Sequence, residues 1–197
     1  MKKNRSFLLR LGTLKTAFKV ALTITFAAAM SVLPAWADAV LRPEIRAALP
    51  EATLMGSARL TFWGLEVYQA HLWTAPGLRA QDYAQHAFAL ELEYLRDLSG
   101  KAIAKRSIQE MRRVGKFSDE QAERWLNRLQ TLIPNVKKGD RIVGLNRPGV
   151  GAVFFVNGQA SGEEKDVEFA RLFFGIWLSA QTSEPQMRQA LLNQGAP

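Results

Sequence analysis

The chain has 197 residues and no cysteine, with 26 Lys/Arg against 18 Asp/Glu for a net charge of +8. That length suffices for one ordinary domain with a real core, and the missing thiols exclude disulfides and cysteine chemistry. The charge does not mark a nucleic-acid binder: residues 1–37 hold six of the basic residues and no acid, which leaves 20 basic and 18 acidic residues in 38–197, a net of +2.

Those first 37 residues have the parts of a secretory signal. A basic region runs to Lys19, an apolar run extends from Val20 to Leu33, and Pro34 precedes the small-x-small site Ala35-Trp36-Ala37. The run is shorter than the ~20 residues of a membrane-spanning helix and suits a signal. The expectation is cleavage after Ala37, a domain over 38–197 and a periplasmic or secreted location; an uncleaved anchor is the alternative. No Cys follows the site, which excludes a lipoprotein anchor.

A short helical piece fits between Pro43 and Pro50. Ala58–Trp63 and Leu65–Thr74 read as two strands around Gly64, a tight hairpin. In the first, Leu60 and Phe62 share one face, and Arg59, Thr61 and Trp63 the other. Phe88–Tyr94 alternates most cleanly: Phe88, Leu90, Leu92 and Tyr94 point inward, and Glu91 and Glu93 are expected to face water. One wet face favours an antiparallel sheet.

A helix over 101–114 carries a basic face of Lys101, Lys105, Arg106, Arg112 and Arg113. The next opens with the capping box Ser118-Asp-Glu-Gln121 and presents Trp125, Leu126, Leu129 and Leu132 at helical spacing. Lys138-Gly139-Asp140 is a turn. Arg141–Asn146 and Ala152–Asn157 read as strands, followed by the hairpin signal Asn157-Gly158. Ser161–Lys165 is a polar lead into Asp166–Leu178, a helix apolar on every side after Arg171 and therefore a core helix. Gly175 within it costs about 1 kcal/mol against Ala and points to the close approach of another backbone. A last helix opens with a second capping-box pattern, Ser183-Glu-Pro-Gln186. Strands and helices are segregated, which predicts an α+β domain: an antiparallel sheet covered on one side by helices.

Conventional catalytic machinery is missing. The two histidines, His71 and His86, have no metal-ligand spacing to other donors. No phosphate-loop pattern or serine nucleophile motif occurs. Arg59 stands out, on a strand beside Thr61 and Trp63. It is either an arginine on the wet face of an edge strand or a guanidinium that holds a carboxylate by two hydrogen bonds. Tyr68, one hairpin away, is either a core tyrosine or a second polar contact.

The chain resembles the chalcone-isomerase-like superfamily, in its bacterial exported branch. The matching pieces are Gly56-Ser-Ala-Arg59, Val67-Tyr-Gln-Ala-His-Leu72, Leu92-Glu-Tyr-Leu-Arg-Asp-Leu-Ser-Gly100, Lys138-Gly-Asp140, Phe173-Phe-Gly-Ile-Trp-Leu178 and Met187-Arg-Gln-Ala-Leu-Leu192. The resemblance implies an open-faced β-sandwich with a cleft between sheet and helices. It places Arg59 at the family's arginine, and Tyr68 where the isomerases have a Thr and the fatty-acid binders a Tyr. The isomerases' helical Tyr falls near Phe117–Gln121, where this chain has none, and their second Ser/Thr falls near the apolar Leu172–Phe174.

The leading expectation is therefore an exported, non-catalytic binder of an amphipathic carboxylate such as a fatty acid. Its ligand-binding residues would be Arg59, Tyr68, Trp63 and Trp177, with Phe62 along the tail. No cofactor or metal is expected, no nucleic-acid partner, and contact with a membrane only through the signal segment before its cleavage. The alternatives are an isomerase acting on an unsaturated carbonyl compound, a haem protein using His71 or His86, and a structural or partner-binding domain.

Overall fold

The structure is a computed structural model that describes residues 40–194; the expected signal segment lies outside the described residues. A short helix, α1 (Pro43–Ala48), precedes three strands, β1 (Thr53–Phe62), β2 (Leu65–Thr74) and β3 (Phe88–Tyr94). Two helices follow, α2 (Gly100–Val114) and α3 (Asp119–Leu132), then β4 (Arg141–Arg147), β5 (Gly151–Val156) and β6 (Gln159–Glu164). The chain closes with α4 (Val167–Leu178) and α5 (Pro185–Leu191). The strands form one sheet in chain order, antiparallel at every joint. Helices α2 to α5 cover one face, the α+β architecture expected from segregated strands and helices.

The core lies between sheet and helices. Leu72, Leu90 and Phe154 point up from the sheet against Met111, Leu129 and Phe174. Helix α4 runs through the middle, and Phe169, Leu172, Phe174 and Leu178 are fully buried. Asp166 caps it as the sequence predicts, accepting from the N–H groups of Glu168 and Phe169 at 2.9 and 3.1 Å. The same carboxylate accepts the Trp125 indole N–H at 3.0 Å and so ties α3 to the start of α4. Ser118 and Gln121 form both halves of the expected capping box.

Gly175 makes close contacts of a different kind from the expected one. A Cβ there would lie 2.5 Å from Val114 Cγ1 and 2.6 Å from the Tyr83 hydroxyl, so side chains, not a second backbone, press on it. A second backbone does close on Gly56, where the carbonyls of Ala190 and Leu191 in the last helix leave no room for a Cβ. Before that helix the predicted capping box does not form. The N-cap is Glu184, and no side chain caps it.

Three strand readings are corrected. Trp63 is not the last residue of a strand but sits in the turn with Gly64, both at positive φ (52° and 76°). Ser161–Glu164, read with Lys165 as a polar lead-in, belong to β6 (Gln159–Glu164), which pairs with β5 as the sixth strand. Glu91 does not face water: it is 1% exposed. The reason lies upstream. Residues around α1 fold over the far face of the sheet, where Ile45 and Ala52 pack with Trp73, Ala89, Val143 and Leu145 into a second, smaller core. Glu91 lies at the edge of that cover. It accepts hydrogen bonds from Arg42 Nε at 2.7 Å and Trp73 Nε1 at 3.0 Å, with Arg141 Nε at 3.8 Å. Glu93, two residues on, is half-buried, with its carboxylate 3.9 Å from Arg42 Nη2.

Candidate functional site

A cavity of about 380 Å³ opens between the β1–β3 side of the sheet and the helices. Its floor is the helix-facing row of the first three strands: Leu60, Tyr68, Leu92 and Tyr94. Its roof comes from Ile103 of α2 and from Phe173, Ile176 and Trp177 of α4. Phe62 and Val67 form one side of the mouth, and Arg96, Arg106 and Glu184 also border the cavity. The strand alternation puts the aliphatic and aromatic residues on this face, and the apolar α4 supplies the opposite wall.

Two tyrosines bring polarity into the apolar wall. The Tyr68 hydroxyl accepts the Trp177 indole N–H at 2.9 Å, and its ring meets Tyr94 edge-on at 6.0 Å. Burial raises the Tyr68 pKa, against the opposing hydrogen bond from Trp177. Burial also raises Tyr94, with the neighbouring Tyr68 adding to it. Both phenols therefore stay neutral at physiological pH and can donate. Among the described residues, the Tyr94 hydroxyl makes no hydrogen bond.

The charged residues divide into satisfied and free. Glu110 is buried beside the cavity, with Arg106 at 2.7 Å and Arg113 at 3.6 Å. Arg96 lines the cavity as an exposed residue with no ion pair among the described residues. It leaves the sheet just after β3, where Leu95 N–H still pairs with the Val67 carbonyl. That pairing directs the following residue to the mouth.

The structure separates the four residues predicted to bind ligand. Tyr68 and Trp177 line the cavity and touch each other. Arg59 does not border it. It sits on the far face, where Nε donates to Gln69 at 3.1 Å and the guanidinium is paired with Glu66. A residue beside Leu60 on a strand must point the opposite way, and Leu60 takes the cavity side. Trp63 projects from the turn and does not border the cavity either. Sequence reasoning missed Arg96 as a site residue, although it lies in the segment Leu92–Gly100 that carries the resemblance. It also read Arg106 only as part of a basic helix face.

The histidines lie elsewhere. His71 is buried on the far face with Nδ1 3.9 Å from Glu91, and His86 Nε2 lies 3.2 Å from Asp82. Among the described residues no group of three or more His, Asp or Glu side chains is placed to hold a metal ion.

The chalcone isomerase-like family model matches residues 37–193. An uncharacterized protein of Haemophilus influenzae is 24% identical over 140 residues, which covers 71% of this chain and 67% of that one. The crystal structure of AtFAP1, a fatty-acid binding protein of Arabidopsis thaliana, superposes with a TM-score of 0.59 at 13% identity, over 78% of this chain and 95% of that one. At that identity the structural likeness carries the fold alone. With the family match spanning residues 37–193, the chain belongs to the chalcone isomerase-like family.

Proposed function

We propose that the cavity binds an amphipathic carboxylic acid of the fatty-acid type and that the protein carries this ligand rather than transforming it. The observation that supports the reading best is an apolar cavity bordered by a guanidinium, Arg96, that has no acidic partner among the described residues. A volume of about 380 Å³ falls within the range of small-molecule sites. The tail would lie along Leu60, Ile103, Ile176 and Trp177. The carboxylate would meet Arg96 as a charge-assisted pair. The Tyr94 hydroxyl would offer a neutral donor deeper in the cavity. The likeness to a plant fatty-acid binding protein agrees with this reading. Export through residues 1–37 belongs to the same proposal and rests on the sequence.

The test is calorimetric titration of the purified protein with palmitate, alongside the Arg96→Gln variant. The expected result is saturable binding that weakens by more than about tenfold in the variant, since a charge-assisted hydrogen bond contributes about 1.5–3 kcal/mol. Unchanged affinity in Arg96→Gln would remove the arginine from the site. No binding by the wild type would overturn the carboxylate reading.

A further inference from the structure

The hairpin that joins β1 to β2 ends in Phe62-Trp63-Gly64-Leu65. Phe62 is 60%, Trp63 89% and Leu65 53% exposed, three of the seven exposed large hydrophobic residues in the described chain. The other four are scattered. Trp63 also sits at φ 52°, in the left-handed region, which is strained for a residue with a bulky side chain. The same chain shows the ordinary solution at a second hairpin: Asn157-Gly158 joins β5 to β6 with φ of 50° and 82°. Asn and Gly are the residues this turn favours. At the first hairpin a tryptophan stands where an asparagine would be both less strained and more soluble, so neither stability nor solubility accounts for it.

Its surroundings suggest what it meets. Phe62 is at once part of the tip and part of the cavity wall, so the apolar tip runs into the cavity mouth. On the roof of that cavity lies α2, with five basic residues and one acid, Glu110. Glu110 is buried and shared by Arg106 and Arg113, and Arg112 pairs with Asp119 of α3, so the surplus positive charge the helix presents outward is that of Lys101, Lys105 and one of the two arginines on Glu110. Arg96 adds to it at the mouth, against the exposed Asp97 and Glu184. At the base of the hairpin, Arg59 and Glu66 neutralise each other. A protruding aromatic tip beside a basic surface complements the interface of an anionic bilayer. Tryptophan sits at the headgroup level there, and nearby Lys and Arg side chains are drawn to the anionic surface.

We propose that the Phe62–Leu65 tip and the basic face of α2 dock on an anionic lipid bilayer, so that the cavity mouth opens onto the membrane that supplies the ligand. The part concerning supply rests on the carboxylate reading above; the docking surface stands on its own residues.

The chain has no cysteine, so Leu65→Cys in the full-length protein provides a single thiol for an environment-sensitive fluorophore. Val150→Cys, in the turn between β4 and β5 at the opposite end of the strands, provides the control. The label reports on the tip itself, so partitioning of the apolar run 20–33 does not obscure the result. With phosphatidylcholine vesicles that carry phosphatidylglycerol, the emission at position 65 should shift to the blue. The shift should be smaller with phosphatidylcholine alone or in high salt, and absent at position 150. In Trp63→Ser/Leu65→Ser, loading of a fluorescent fatty acid from those vesicles should slow by more than about tenfold, with unchanged affinity for the same acid in vesicle-free buffer. Water-like emission at position 65 in the presence of vesicles overturns the docking. So does a blue shift that grows with protein concentration in the absence of lipid, which would assign the tip to a second copy of the chain. Failure of the acid to bind in vesicle-free buffer overturns the carboxylate reading and the supply step, and position 65 alone then decides the docking.

Discussion

The indole N–H of Trp177 donates to the hydroxyl of Tyr68 at 2.9 Å, across 109 residues of chain. This one bond joins the central helix to the second strand along the wall of the cavity. Both side chains are otherwise held by rings: Trp177 against Phe173 at 5.5 Å, and Tyr68 against Tyr94 at 6.0 Å.

Tyr68→Phe keeps the ring and removes the acceptor. The buried indole N–H then has no partner, which should destabilise the fold by about 1–3 kcal/mol. Urea denaturation followed by circular dichroism measures it. A midpoint equal to wild type would mean that the bond contributes nothing net.

Glu91 joins the sheet to the segment that covers its far face. In Glu91→Ala, Arg42 and Trp73 lose their acceptor, and Arg141 its nearest carboxylate. Because Arg42 and Arg141 retain some solvent, the loss should be about 2–4 kcal/mol, toward the lower end of what breaking a buried pair costs. Glu91→Gln preserves one acceptor and should lose less. Protease cleavage near α1 should accelerate in Glu91→Ala; equal digestion rates would show that Glu91 does not hold the cover down.

Burial pushes the His71 imidazole below its ordinary 6.5, with Glu91 and Glu93 opposing and Arg42 adding to the shift. The folded protein therefore keeps His71 neutral where the unfolded chain takes up a proton. Stability is undiminished above 6.5, declines as pH falls below it, and levels off once pH passes the folded-state value. Relative to His71→Gln, the wild type should lose stability as pH falls below about 6.5. Parallel pH profiles of the two proteins would show that His71 does not titrate differently in the folded and unfolded states.

Gly175→Ala tests how tightly α4 is packed. Helix propensity alone favours Ala by about 1 kcal/mol. The new methyl, however, meets Val114 at 2.5 Å and the Tyr83 hydroxyl at 2.6 Å. That hydroxyl is held by its hydrogen bond to the Arg171 carbonyl at 2.8 Å. Overpacking of this kind costs about 1–3 kcal/mol, so the net effect should be destabilising or near zero. A clear rise in thermal midpoint would mean that Val114 and Tyr83 move aside freely.

Patterns local to the chain were legible without the structure. Alternation in Phe88–Tyr94 gave the core-facing row, because side chains on a strand must take opposite faces. Ser118-x-x-Gln121 and Asp166 marked helix starts, because unpaired N–H groups there select such residues. The all-apolar run after Arg171 could only be buried, and the segregation of strands and helices gave the α+β class. The same reasoning stopped where a distant segment intervened. Alternation assigned Glu91 to the far face correctly but could not show that residues around α1, some 45 positions earlier, would fold over that face. It placed Arg59 and Leu60 on opposite faces but could not say which face would form the cavity; the helices decided that by packing over Leu60, Tyr68 and Leu92. Arg96 came to border the cavity only because the register of β2 against β3 carries the chain past it, and no short stretch of sequence encodes that register. Periodicity and capping are properties of neighbours in the chain, whereas the cover, the cavity and its unpaired arginine are properties of neighbours in space.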